Sequence, residues 1–156
     1  MDKIPAMYFR GSSSSYVHVN DTNFPYGSSD RTLSWWFKMD NYSIQDDGCF
    51  ILYGTANSYQ NFNMAINSTR KMKYDIWNFD IKGNISISPN QWYYACCVIK
   101  QKVVYGYING VLDVSGSVSN INTTKGTGLC AMGIRFTNSQ PYKGYMSSVR
   151  IYNRAL

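Results

Sequence analysis

Asn109-Gly110 is the point in this chain with the least conformational choice. Both residue types tolerate the positive φ that a two-residue hairpin turn demands, so residues 103–108 and 111–114 must fold back on each other. Residues 91–99, dense in aromatic and β-branched side chains, form a third run before the polar break Lys100-Gln101-Lys102. An antiparallel meander results. Elsewhere short apolar runs alternate with turn chemistry, and no segment sustains a helical period. This predicts an all-β chain of two packed antiparallel sheets. About a dozen strands are too many for an immunoglobulin-type sandwich, so a jelly roll is expected. At 156 residues, one such domain fills residues 1–156.

The meander also carries a family pattern. Trp92 opening a strand, Cys96 at a small-residue position, then Tyr107, Asn109 and Gly110 closing the next strand, resembles the laminin G-like branch of the concanavalin A-like lectin/glucanase superfamily. Tyr16-Val17-His18-Val19, after the small-residue turn 11–14, is similar to the opening of that pattern. Residues 141–156 resemble its C-terminal signature nearly residue for residue. The likeness spans about residues 6–156 and implies a concanavalin A-like jelly roll that recognises rather than transforms its partners. Cys96 stands where the family usually has Ala, a mild change because a free Cys packs as a small hydrophobe.

Alternation assigns faces within the strands. Leu33, Trp35 and Phe37 share one face, and Phe62, Met64 and Ile66 another. The expected core contains Trp35, Phe37, Trp92, Val98, Ile108, Val149 and Ile151. Residues 72–79 read as one aromatic-rich strand broken at Lys82-Gly83-Asn84, and residues 129–136 as another strand. The positive charges at Arg70, Lys71 and Lys73 read as a solvated turn.

The residue inventory argues against hydrolysis. Retaining glycosidases of this superfamily use a Glu-x-Asp-x-Glu strand, whereas this chain contains no Glu and no Asp-x-Asp pair. His18 is the one histidine, and Gly11-Ser12-Ser13-Ser14-Ser15 beside it reads as a hairpin turn rather than a nucleophile elbow. No catalytic residue is assigned, and the chain is expected not to be an enzyme. Cys49, Cys96, Cys97 and Cys130 lack metal-ligand spacing and read as buried thiols, with a bridge from Cys96 or Cys97 to Cys49 or Cys130 left open in an oxidising compartment. No cofactor is expected. The resemblance raises Ca²⁺ at Asp46-Asp47-Gly48, but Ser147 stands where the family often has Asp, which argues against it.

Composition points to recognition. Aromatic residues make up 16% of the chain, with 14 Tyr, and charged residues only 15%. Few charges with many Tyr, Asn and Ser make a surface suited to neutral polar partners. The net charge of +6 comes with no nucleic-acid motif, so no nucleic-acid partner is expected. No apolar run is long enough to span a bilayer, and no basic-then-apolar leader follows Met1, so membrane insertion is not expected either.

Sugar binding needs flat apolar platforms beside amides and hydroxyls. The candidate ligand-binding residues are Tyr59, Asn61, Tyr74, Trp77, Arg135 and Asn138. The reading is a non-catalytic carbohydrate-binding or adhesion module at an extracellular or particle surface, displayed in many copies. Its rival is a decoration or fibre domain of a phage or virus particle that docks on a neighbouring protein.

Overall fold

The computed structural model describes residues 5–44, 47–126 and 130–156, with Thr137 by its backbone alone. Two six-stranded antiparallel sheets face each other. The first runs in the order β1 (Met7–Arg10), β12 (Lys143–Tyr152), β3 (Arg31–Met39), β8 (Tyr93–Lys100), β9 (Val103–Ile108) and β10 (Val111–Ser117). The second runs β2 (Val17–His18), β11 (Ala131–Met132), β4 (Gly48–Gly54), β5 (Asn61–Ile66), β6 (Lys71–Asp75) and β7 (Asp80–Ser86). Five of the ten neighbouring pairs join strands distant in sequence: β1–β12, β12–β3, β3–β8, β2–β11 and β11–β4. That crossing is the jelly-roll topology expected.

The meander forms β8, β9 and β10. Asn109 and Gly110 adopt φ of 51° and 80°, and Val111 pairs with Ile108 across them. Leu33, Trp35, Phe37, Phe50, Phe62 and Met64 meet between the sheets with almost no exposure. The aromatic rings interlock: Phe37 lies 4.8 Å from Phe50, and Trp35 lies 5.5 Å from the same ring. The approach is close at Gly106, where an added Cβ would sit 2.2 Å from the Tyr74 ring.

Two buried charges tie the sandwich together. Arg31, 1% exposed, donates to the Tyr53 hydroxyl at 3.1 Å, Thr123 Oγ1 at 3.0 Å and the Gly27 carbonyl at 2.7 Å. Asp113, beside a bulge in β10, accepts the amides of Asn84 and Ile85 of β7 at 2.7 and 2.6 Å. It thereby links the edge strands of the two sheets.

Several expectations shift. Trp92 is not core: β8 begins one residue later, so its ring lies on the outside, 36% exposed, with the Lys38 ammonium 5.7 Å above it. Val98 is buried, yet it alternates with Cys97 and Ile99, which face the core, and so belongs to the outer face of the first sheet. Val149 and Ile151 are half-buried at the core's margin. The stretch 72–79 is not one strand, because the chain reverses at Trp77-Asn78 and β7 runs straight through Lys82-Gly83-Asn84. Asp75 sets that turn by accepting the Trp77 amide at 2.8 Å.

Of residues 129–136, Leu129 lies outside the described residues and only Ala131–Met132 is strand. Gly133 at φ 88° ends it against the Phe9 ring, and a single 3-10 turn, Phe136–Asn138, follows. Lys71 and Lys73 stand on β6 rather than in a turn. All four cysteines are free.

Candidate functional site

The outer face of the second sheet carries a connected polar network. Phe62, Met64 and Ile66 of β5 turn inward, which sends Asn61, Asn63 and Ala65 outward. Cross-strand register then aligns Leu52, Asn63, Asp75 and Asp80 in one row, and Ala65, Lys73 and Lys82 in the next. Asn63 is the relay. Its Oδ1 accepts from the Cys49 thiol at 3.0 Å, while its Nδ2 donates to Asp75 Oδ2 at 3.0 Å.

Asp75 is the hub. Its Oδ2 meets the Arg135 guanidinium at 2.9 Å and the Lys73 ammonium at 3.9 Å. Burial raises the Asp75 carboxyl above its ordinary value, against the opposing pull of Arg135. Lys73 also pairs with Asp47 at 2.7 Å and Asp80 at 3.0 Å. Burial pushes its ammonium down, but these carboxylates outweigh burial and the net shift is upward. Of the two acids weighed for Ca²⁺, Asp47 is therefore bound to Lys73, and Asp46 lies outside the described residues.

Trp77 forms the wall of the site. It and Asn78 occupy the two central positions of the β6–β7 hairpin turn at φ 43° and 64°. Asn accepts this region readily; Trp does so only at a cost of about 1–3 kcal/mol. The Asp75 carboxylate and the Tyr59 amide, which donates to the Trp77 carbonyl at 3.0 Å, hold the turn. The Arg135 guanidinium lies 5.1 Å from the centre of the indole, and Phe136 meets it edge-on at 6.1 Å. Arg135 is also braced through Gln140 Oε1 at 3.1 Å. Lys73, Asp75, Trp77, Asn78, Asp80 and Arg135 together line an open pocket of about 570 Å³.

The six residues singled out from sequence divide. Trp77 and Arg135 meet in this pocket. Asn61 shares the outer face but is fully buried, and its amide finds no hydrogen-bond partner among the described residues; nor does Arg135 Nε. Tyr59 is half-buried against the core, and Asn138 is exposed in the 3-10 turn. Tyr74 does not reach this face. Its position on β6 turns the ring into the core, with the hydroxyl 3.4 Å from Asp113. Sequence reasoning passed over Lys73, Asp75 and Asp80. The alternation Lys71-x-Lys73-x-Asp75 was the available signal, because it places three charges on one strand face.

The family is decided by a match across nearly the whole sequence: the laminin G-type model of the concanavalin A-like lectin/glucanases superfamily covers residues 10–156. The chain belongs to this superfamily. Among solved structures, this concanavalin A-like chain is similar to the carbohydrate-binding module (CBM40) of the Ruminococcus gnavus IT-sialidase, which was solved bound to α2,3 sialyllactose. The TM-score is 0.76 at 12% identity, covering 97% of this chain and 91% of that one. It is also similar to the heptameric SAP-like pentraxin of Limulus polyphemus, with TM-score 0.62, 17% identity, and coverage of 97% and 76%. The binding domain of Paraclostridial Mosquitocidal Protein 1 matches with TM-score 0.69 at 17% identity over 98% of this chain. This chain spans 45% of that domain's length. Such identities speak for the shared fold. A search of curated proteins finds no match.

Proposed function

We propose that this chain is a non-catalytic recognition module that binds uncharged carbohydrate on the outer face of its second sheet. The observation carrying the proposal is the Arg135 guanidinium, stacked 5.1 Å over Trp77 and tied at 2.9 Å to Asp75. A pyranose offers an apolar C–H face and a fringe of hydroxyls. Here Arg135 covers one face of the half-buried indole, and the part of the ring left exposed stands beside fixed donors and acceptors that match both.

Charge selects among sugars. Lys73 and Arg135 face Asp47, Asp75 and Asp80, so the pocket holds no surplus positive charge to attract an anion. A neutral sugar fits this balance better than the acidic one bound to the CBM40 relative. The open pocket desolvates little of its ligand, so affinity per copy is low and useful retention comes from many copies displayed at an extracellular or particle surface.

The test compares the isolated chain with a multimerised form on an array of neutral and acidic glycans. Retention of the multimer on neutral glycans, abolished by Trp77→Ala without loss of folding, is expected. No retention on any glycan overturns the carbohydrate reading and leaves docking on a neighbouring protein of a particle. Release of reducing sugar from a bound glycan overturns the non-catalytic one.

A further inference from the structure

The opposite side of the sandwich has a different character. In the first sheet, Phe9, Phe37, Ile99 and Met146 face the core, so the alternating residues face out. Those outward positions include five cations: Arg10, Lys38, Lys100, Lys143 and Arg150. None of them forms an ion pair among the described residues, where all four ion pairs involve Lys73 or Arg135. The one carboxylate within the strands of this sheet, Asp113, is buried on the other side. At the margins Asp40 is taken by the Tyr8 hydroxyl at 2.8 Å, and Asp30 by the Gln101 amide at 2.8 Å.

Between the cations lies an aromatic pavement. Tyr8 and Tyr145 meet at 4.8 Å, Trp36 and Tyr94 at 5.3 Å, and the Lys38 ammonium sits between Tyr145 and Trp92 at 4.7 and 5.7 Å. At the same end of the sheet Leu112 of β10, paired with the outward Tyr107, is 52% exposed. Tyr8 and Trp92 are 42% and 36% exposed.

We propose that this face adsorbs to the surface of an anionic lipid bilayer. The five unpaired cations match a negatively charged plane, and each basic side chain near such a surface adds to the attraction. Trp and Tyr suit the headgroup level, where one end of the ring is apolar and the other wet. Leu112 discriminates between anionic partners. On a hydrated acidic polysaccharide its exposed surface gains nothing, whereas at a bilayer it leaves water. Adsorption also suits a chain in which no helix among the described residues is long and apolar enough to cross a membrane. The sugar pocket would then face away from the lipid.

The experiment is co-sedimentation of the full chain with phosphatidylcholine vesicles, either pure or with about one-third phosphatidylserine. Binding to the phosphatidylserine vesicles is expected to exceed that to the pure ones about tenfold or more and to fall away in high salt. The double variant Lys38→Glu, Lys143→Glu should abolish it. A blue shift of tryptophan emission on binding, lost in Trp92→Phe, would place that ring at the headgroups. Trp77→Ala should leave vesicle binding intact, which separates this proposal from the sugar site. Equal binding to both vesicle types, no binding, or indifference to the charge reversals overturns it. Retention on an acidic polysaccharide without vesicle binding also overturns it and gives the face to a glycan.

Discussion

Arg135 and Asp75 meet at 2.9 Å over the outer face of the second sheet, with the carboxylate side chain 1% exposed and the guanidinium 19%. An acid this buried depends on its partner. Arg135→Ala should therefore cost about 2–4 kcal/mol at neutral pH, because it strands the Asp75 charge beside Lys73 alone.

The pH dependence of that variant has a definite sign. Burial already holds the folded Asp75 carboxyl above its ordinary 3.8, so the folded state binds the proton more readily than the unfolded chain. Stability from this group is lost as pH rises through the window between the unfolded and folded values, and regained as pH falls. Removing Arg135 widens the window. In urea titrations at a series of pH values, the deficit of Arg135→Ala should shrink from pH 7 toward pH 4; a constant deficit would contradict the buried-pair assignment.

Two glycines of the meander separate strain from crowding. At Gly110 an added Cβ meets nothing within 4 Å, but φ is 80°, so Gly110→Val should cost about 1–2 kcal/mol through backbone strain alone. At Gly106 φ is not in the left-handed region, but a Cβ would lie 2.2 Å from the Tyr74 ring. Gly106→Ala should lose about 1–3 kcal/mol through overpacking. Combining it with Tyr74→Leu should recover part of the loss, which Gly110→Val should not share. Chemical denaturation of the single and double variants checks both.

Trp35 and Trp92 should behave oppositely on truncation. Trp35 is 1% exposed among Phe37 and Phe50, and Trp35→Ala should cost about 3–5 kcal/mol. Trp92 lies on the outside, and Trp92→Ala should cost less than about 1.5 kcal/mol. Equal melting losses for the two would return Trp92 to the core.

Thiol labelling should single out Cys96. Burial raises the pKa of every cysteine here, Cys130 to about 12 and Cys49 and Cys97 further, while Cys96 is half-exposed on the outer face. The native protein should react with a thiol reagent at one site on the fast timescale, and Cys96→Ser should abolish that phase. All four should react after unfolding.

Local chemistry was enough for the elements whose cause is local. Asn109-Gly110 declared its turn because few residue pairs tolerate two positive φ values, and Leu33-x-Trp35-x-Phe37 declared its buried face because strand side chains alternate. Both features, with the strand count and the resemblance at residues 141–156, were sufficient for the two-sheet fold and the family. The Trp77-Asn78 reversal was hidden, since Trp rarely accepts φ of 43° and does so here only with the Asp75 carboxylate on its amide. Tyr74 and Trp77 looked equivalent as surface aromatics until pairing register sent one under Gly106 and the other beneath Arg135.

The sequence by itself determined an all-β chain, the positions of most strands and the absence of a Glu-based acid pair. Those follow from residue type and period. Only the tertiary structure decided that Lys73, Asp75 and Arg135 share a site and that the cations of β1, β3, β8 and β12 share a face. A jelly roll pairs strands far apart in the chain, so which charges meet depends on sheet order and register, and neither is written in any local stretch.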